Sequence, residues 1–193
     1  MTMQIKKMIA IFVVLTAVFT SCKKEADEPN DEEVITTLRL TFAPVGGGNN
    51  LVYQYDDADG PGGNQPTKEE IVLQPNKSYN VSLQLLNKTV TPAEDKTNEI
   101  KQEGTSHRFY YEPAAGSNIT VSGLDNDANG VALGLTSNWV SGAAWVSGAA
   151  ATGKIKITLR HYGGNPPSKA ANDPVNSNKS STDLEVEFNT KIQ

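Results

Sequence analysis

The sequence KIKITLRH at residues 154–161 decides the fold class. Ile155, Ile157 and Leu159 share one parity, which His161 continues, and charged or polar residues occupy the other parity. Alternation of period two is typical of a β-strand with one buried face and one solvated face. The segment therefore predicts a strand that sets its apolar residues and His161 against a core.

The same alternation recurs on both sides of this segment. At the C-terminal end, Leu184, Val186 and Phe188 form one face, and Asp183 falls with Glu185 on the polar face. Further alternating segments begin near residues 37, 51, 79, 107, 119 and 131, with Gly, Asn, Asp or Pro between them. About seven to nine short strands joined by such turns predict an all-β fold, an antiparallel β-sandwich that is immunoglobulin-like or similar.

One short surface helix is predicted between residues 91 and 104. Thr91, Pro92 and Glu94 have the spacing of a capping box with proline at the first helical position. Gly104 can end the helix. The segment has few apolar residues, so we expect it to lie on the surface.

The first 21 residues have the pattern of a signal peptide. Lys6 and Lys7 precede an apolar run of 12 residues at 8–19. A helix needs ~20 residues to cross the hydrocarbon core, so the run predicts an export signal and not a membrane span. The predicted organisation is a signal peptide at 1–21, a lipidated cysteine with an acidic tether at 22–33, and a β-sandwich domain at 34–193.

Cys22 is the only cysteine of the chain, and it follows Phe19-Thr20-Ser21. These residues resemble a lipobox, in which the cysteine thiol is acylated and becomes the first residue of the mature protein. The alternative is an ordinary signal peptide with an incidental cysteine, but no second thiol is present to form a disulfide. We therefore expect lipidation at Cys22 and attachment to a membrane. Six acidic residues at 23–33 indicate a solvated tether, which is either a spacer or a basic-then-acidic surface-export signal.

Charge and motifs exclude two classes of function. The formal net charge of −5 becomes −7 once residues 1–21, with Lys6 and Lys7, are removed. An acidic domain without a basic stripe argues against nucleic acid as a partner. The sequence also has no nucleophile elbow, no His-Glu-x-x-His and no phosphate-binding glycine loop, so we expect no enzymatic activity.

The two histidines are candidate metal ligands. His107 begins an alternating segment on its apolar face, and His161 ends another on its apolar face. If these strands are antiparallel neighbours, the two imidazoles meet at one rim of the sandwich. Together with a carboxylate or a tyrosine hydroxyl they would form a Zn²⁺ or Cu²⁺ site. The alternative for each histidine is a hydrogen-bonded rim residue.

A second candidate ion site is the segment DNDANG at 125–130. Asp125, Asp127 and Asn129 match the first half of a calcium loop, but Thr136 stands where the loop needs a bidentate acid. The alternative is a hairpin turn, for which Asn-Gly between apolar alternations is a strong signal. We favour the turn.

Three aromatic residues are candidates for binding a ligand or partner: Tyr110, Trp139 and Trp145. Exposed aromatic rings suit sugars and protein partners, and the alternative for each is packing within the fold. The long connection at 163–181 is rich in Gly, Pro, Ser and Asn. Loops of this length are usually functional or disordered, and the sequence leaves both open.

The lipobox, the opening VITTLRLTF, the HRFYY and DNDANGVALGL segments and the KITLRHYGG strand resemble a family of small, uncharacterised cell-envelope lipoproteins of Bacteroidota. Some of these carry the label "type 1 periplasmic binding fold". Proteins of that fold are two-domain α/β molecules, whereas this chain is short and rich in strands. The resemblance implies an envelope location, outer-membrane attachment and work beside an outer-membrane nutrient transporter.

The expected function is therefore non-catalytic binding by a lipid-anchored envelope protein, with a nutrient or a metal ion as ligand. The alternative is a structural or adhesive surface protein that binds a glycan or a partner protein.

Overall fold

The computed structural model describes residues 33–60, 62–144 and 153–193. In these ranges the chain forms two β-sheets and one short helix, which confirms the all-β sandwich. The signal peptide, Cys22, the tether up to residue 32 and Trp145 lie outside the described residues. The elements are β1 (Thr37–Pro44), β2 (Leu51–Asp56), β3 (Thr67–Lys68), β4 (Ile71–Leu73), β5 (Ser78–Asn87), β6 (Glu94–Asp95), α1 (Thr97–Gln102), β7 (His107–Pro113), β8 (Ile119–Ser122), β9 (Thr136–Ser141), β10 (Gly153–Tyr162) and β11 (Ser180–Ile192).

The larger sheet, sheet A, has the strand order β3-β2-β1-β5-β9-β8, and β6 pairs with β5 beside this path. The smaller sheet, sheet B, has the order β4-β11-β10-β7. All neighbours are antiparallel except β4, which runs parallel to β11. The described residues form more strands than the sequence predicts. The additional strands are β3, β4 and β6, which have only two or three residues each. Such short strands leave no alternation in the sequence.

The core lies between the two sheets and is built from the inward parity of their strands. Phe42 of β1 packs edge-on against Trp139 of β9, with ring centroids 5.1 Å apart. Trp139 in turn packs edge-on against Tyr111 of β7, with centroids 5.8 Å apart, so the contact runs from sheet A to sheet B. Ile155, Ile157 and Leu159 are fully buried, as the alternation in 154–161 predicts.

The helix is shorter than predicted, and its predicted N-cap is wrong. The backbone at Glu94 and Asp95 pairs with Asn87 and Leu86 of β5 as β6, so the last residue of the capping-box segment belongs to a strand and not to a helix start. Helix α1 starts only at Thr97, whose N–H donates to the carboxylate of Asp95 at 2.9 Å. The pairing with β5 outweighs the local helix signal because it satisfies backbone groups that a helix start would leave open.

The long connection between β10 and β11, residues 163–179, lies on the outer surface of sheet B beside β7. Arg108 donates hydrogen bonds from its guanidinium to the carbonyls of Ala170 and Ala171, at 3.2 and 3.0 Å. The hydroxyl of Tyr110 donates to the carbonyl of Asp173 at 2.9 Å. The connection is therefore docked on the strands.

Candidate metal centre

The two histidines meet at one end of sheet B. β7 starts at His107, β10 runs antiparallel beside it, and the register places His161 directly opposite His107. Their ring centroids are 4.4 Å apart, with an angle of 36° between the rings. The predicted meeting of the imidazoles is thus observed, while the binding of a metal by them stays a prediction.

A β-bulge brings Asp183 to the same place. Between β10 and β11 the register pairs Leu159 with Leu184 and then Arg160 with Thr182, so Asp183 is the extra residue. A bulge reverses the facing of the side chains beyond it and can re-aim one of them. The sequence placed Asp183 on the polar face, and that prediction is wrong, because the Asp183 side chain is fully buried beside the two rings.

The spacing of the three side chains suits a small cation. Oδ2 of Asp183 lies 3.6 Å from Nε2 of His107 and 3.8 Å from Nδ1 of His161. All three residues offer ligand atoms within 4.8 Å of one another. Both N···O distances are longer than those of N–H···O hydrogen bonds, which span ~2.7–3.2 Å. Ligands held ~2.0–2.1 Å from a tetrahedral Zn²⁺ lie roughly 3.3–3.4 Å from each other, only a few tenths of an ångström closer than these atoms are.

The contact of His107 Nδ1 determines which ring nitrogen has a lone pair for a metal ion. Nδ1 lies 3.1 Å from the carbonyl oxygen of Glu103. Since a carbonyl only accepts, Nδ1 carries the proton, and Nε2 of the neutral ring presents its lone pair toward Asp183. Metal-ligating histidines usually hold their other N–H in this way, on a backbone carbonyl or a carboxylate. The structure therefore supplies an outer-shell contact as well as the ligand atoms.

Burial favours the neutral form of both imidazoles. The His107 side chain is fully buried and that of His161 is 16% exposed. Burial, together with the neighbouring His161, lowers the pKa of His107 to about 4. Burial also lowers the pKa of His161. Neutral imidazole is the form that binds metal, so these shifts favour the ligating state of both rings.

Two further carboxylates lie beside His107. Glu33 and Glu103 each offer an oxygen within 4.8 Å of a His107 ring nitrogen and of one another. Burial and the neighbouring Glu99 raise the pKa of Glu33. The two carboxyl groups favour the approach of a cation to this end of the sandwich.

Next to His107 lies a second buried polar cluster, formed by Lys169 and Asp127. Their side chains are 2% and 0% exposed, and Nζ is 2.6 Å from Oδ2 of the carboxylate. Oδ1 of Asp127 accepts hydrogen bonds from the backbone N–H groups of Asn129 and Val131, at 2.8 and 2.9 Å.

These contacts bear on the predicted calcium segment. Asn126 and Ala132 form an isolated antiparallel bridge, and Oδ1 of Asp125 accepts from the backbone N–H of Thr136 at 2.8 Å. The segment is therefore the turn that the sequence favoured. The ammonium of Lys169 occupies the place next to the Asp127 carboxylate where a bound cation would lie. This geometry gives no support to calcium at Asp125, Asp127 and Asn129.

The aromatic residues are not an exposed platform. Trp139 is fully buried in the core, because its strand turns that parity inward, so its prediction as an exposed binding residue is wrong. Tyr110 is half-buried, and its hydroxyl is hydrogen-bonded to the hydroxyl of Tyr162 at 2.6 Å as well as to Asp173. Trp145 lies outside the described residues.

Comparison with family models, with curated proteins and with solved structures gives no match. Within the described ranges, none of the helical segments has the length and apolar character that crossing a membrane requires.

Proposed function

We propose that this chain is a lipid-anchored protein of the bacterial cell envelope that binds one transition-metal ion, Zn²⁺ or Cu²⁺, through His107, His161 and Asp183. One observation carries the proposal: a β-bulge places a buried carboxylate 3.6 Å from a nitrogen of the buried His107 and 3.8 Å from a nitrogen of the partly exposed His161, whose ring faces that of His107. Two imidazoles and a carboxylate form a borderline-hard ligand set that suits these ions.

The burial of the site favours binding over catalysis. The side chains of His107 and Asp183 are fully buried, and only His161 is partly exposed. An ion can enter past His161, but a substrate of ordinary size has little access to the ion. Capture or storage of the ion beside an outer-membrane transporter is the role that the resemblance to envelope lipoproteins suggests.

The alternative of a glycan-binding or adhesive protein loses two of its three aromatic candidates, while the third, Trp145, lies outside the described residues. Trp139 is in the core and Tyr110 is engaged beneath the 163–179 connection. We therefore place the ligand site at the histidines.

Metal titration of the mature chain tests the site. A Cys22→Ser form removes both the lipid and the thiol, so that sulfur cannot contribute a ligand. We expect one Zn²⁺ or Cu²⁺ per chain by native mass spectrometry, with affinity measured by competition against a chromophoric chelator. Asp183→Asn and His161→Gln should each weaken binding more than about tenfold, the low end of the effect of disturbing a metal's outer shell alone.

Glu185→Gln is the matched control, because Glu185 lies two residues along β11 with a side chain that is 53% exposed. Its affinity should equal that of the parent, which is the Cys22→Ser form without a second substitution. Binding of no ion by the parent, or equal affinity in the parent and Asp183→Asn, would refute the site.

The anchor is tested separately. Supplied with a labelled fatty acid in a bacterial host, the full-length precursor should incorporate the label, and its Cys22→Ser variant should not. Equal labelling of the two forms, or labelling of neither, would contradict lipidation at Cys22 and leave the metal site unaffected.

A further inference from the structure

Lys169 is the most enclosed cation of the 163–179 connection. Its Nζ donates to the backbone carbonyls of Gly104 at 2.5 Å, His107 at 2.8 Å and Ala132 at 3.3 Å. The same nitrogen pairs with the carboxylate of Asp127 at 2.6 Å. One ammonium group is thus surrounded by four oxygens.

The four oxygens belong to three different segments. Gly104 lies in the turn after α1, His107 is the first residue of β7, and Asp127 and Ala132 belong to the turn that precedes β9. Lys169 adds the 163–179 connection as a fourth segment. An ammonium at this junction ties together parts of the chain that strand pairing alone does not join.

The turn that Lys169 holds is the one that orients the His107 ring. Nδ1 of His107 donates to the carbonyl of Glu103, and the backbone N–H of His107 lies 3.3 Å from the carbonyl oxygen of Gly104. Lys169 donates hydrogen bonds to the carbonyls of Gly104 and His107, which are the first and last residues of this short turn. Movement of the turn would shift the ring and the direction of its Nε2 lone pair.

We propose that Lys169 is a positioning residue of the metal site, which holds the residue 104–107 turn so that Nε2 of His107 stays aimed at the ion. This inference rests on the proposed function, since it concerns the same site. It assigns the long connection a role: the connection carries the residue that preorganises a ligand, although it supplies no ligand atom itself.

The connection is built to hold Lys169 in place. The carbonyls of Ala170 and Ala171, directly after Lys169, accept hydrogen bonds from the Arg108 guanidinium. The backbone N–H of Ala170 donates to the carboxylate of Asp173 at 2.8 Å. These contacts fix the backbone on which the Lys169 side chain stands, so the ammonium is delivered at a defined position.

The test replaces Lys169 by Met in the Cys22→Ser form of the mature chain. Methionine keeps the length of the side chain and removes all N–H donors. We expect Zn²⁺ affinity to fall at least about tenfold, in the range seen when outer-shell partners of metal ligands are removed. We also expect the ion to dissociate faster, as followed by transfer to a chelator.

Lys179→Met is the matched control, because Lys179 stands on the same connection and pairs with Asp173 at 2.7 Å while being 41% exposed. Its Zn²⁺ affinity should be unchanged. Asp127→Asn is a second variant in case Lys169→Met does not fold. It keeps the three carbonyl contacts but weakens the hold on the ammonium, so its Zn²⁺ affinity should lie below that of the parent, and an affinity equal to the parent's would count against the inference.

A readout independent of stability is the tautomer of His107 in the metal-free protein, from long-range ¹H–¹⁵N spectra. The parent should show the Nδ1–H form, and Lys169→Met a mixture of both forms. A merely structural role would lower the melting temperature of Lys169→Met but leave tautomer and affinity unchanged, and that result would overturn the inference. Failure of the parent itself to bind Zn²⁺ would instead refute the proposed function.

Discussion

Two buried carboxylates lie on either side of the first residue of β7, and they are surrounded differently. Asp127 contacts the ammonium of Lys169 directly at 2.6 Å, so the chain supplies its own cation. Asp183 faces two imidazole nitrogens at 3.6 and 3.8 Å, distances that suit an ion placed between them. Asp127 therefore pairs with a cation that the chain itself supplies, whereas the spacing of Asp183, His107 and His161 suits a metal ion bound from outside.

The largest effect on stability is expected from removing the ammonium of Lys169. Lys169→Met leaves the Asp127 carboxylate buried beside carbonyl oxygens, and we expect the free energy of unfolding to fall by about 3–5 kcal/mol. Urea denaturation measures it. The double variant Lys169→Met/Asp127→Asn should recover part of the loss. A loss below about 1 kcal/mol in the single variant would mean that the ammonium is not needed there.

The two clusters should also respond to acid in different pH windows. Because the pKa of His107 is lowered from 6.5 to about 4, the unfolded chain takes up this proton first, and stability is lost as the pH falls from about 6.5 to about 4. The shift corresponds to about 3 kcal/mol. Urea denaturation at pH 7.5, 5.5 and 4 should show this slope in the metal-free parent, and His107→Gln should flatten it.

Asp127 provides the second window. Burial alone would raise its pKa, but Lys169 and the backbone N–H groups of Val131 and Asn129 together hold the pKa below its usual value of 3.8. A carboxyl with a depressed pKa stabilises the fold above the unfolded value and loses that contribution at lower pH. Loss of the parent's stability only below about pH 4 would contradict the lowered pKa of His107.

Added metal should stabilise the folded protein through the cluster of His107, His161 and Asp183 and not through Asp127. At a free Zn²⁺ concentration of 100 times the dissociation constant, the parent should gain about 2.7 kcal/mol of unfolding free energy. Thermal denaturation with and without Zn²⁺ measures the gain. Asp183→Asn, with binding weakened more than about tenfold, should lose about half of this gain or more, while Asp127→Asn should keep most of it. Equal gains in the parent and Asp183→Asn would place the ion elsewhere.

The smallest effect is expected from an ion pair on the same connection whose lysine is exposed to solvent. Lys179→Met removes the pairing with Asp173, and because Lys179 is 41% exposed we expect a loss below about 1 kcal/mol. The same urea experiment compares it with Lys169→Met. A loss as large as that of Lys169→Met would show that burial does not distinguish the two lysines.

Much of the fold follows from the sequence, because period-two alternation directly reports which side of a strand is buried. The inward parity of Ile155, Ile157 and Leu159 is found as predicted, and parity also placed His107 and His161 correctly at the ends of their strands. Parity alone cannot say which face is the core when both are mixed. Trp139 was therefore assigned to the surface although β9 buries it.

The third member of the site could not be predicted, for a physical reason. A bulge adds one residue to one strand only, and it moves Asp183 from the face of Glu185 to the face of the histidines. Nothing in the run SSTDLEVEF marks where the extra residue falls, since Thr182 and Asp183 suit either face. Lys169 was missed for a related reason: its four partners come from segments distant in sequence, and irregular connections have no periodicity that would reveal them.

The capping-box segment shows the same limit of local signals. Thr91, Pro92 and Glu94 satisfy the rule for a helix start, yet the backbone at Glu94 joins the edge of β5. Tertiary pairing decided this, and the partner strand is not visible from the four residues of the motif.

The position of Glu33 beside His107 places the candidate metal centre at the end of the domain from which the N-terminal segment leaves. With Cys22 as the proposed anchor, the 11 residues from 22 to 32 span at most about 40 Å even when fully extended. The metal-binding end would therefore remain within about 40 Å of the bilayer surface, whatever the orientation of the domain. With that anchor, an ion released there would start its diffusion within this distance of the bilayer surface.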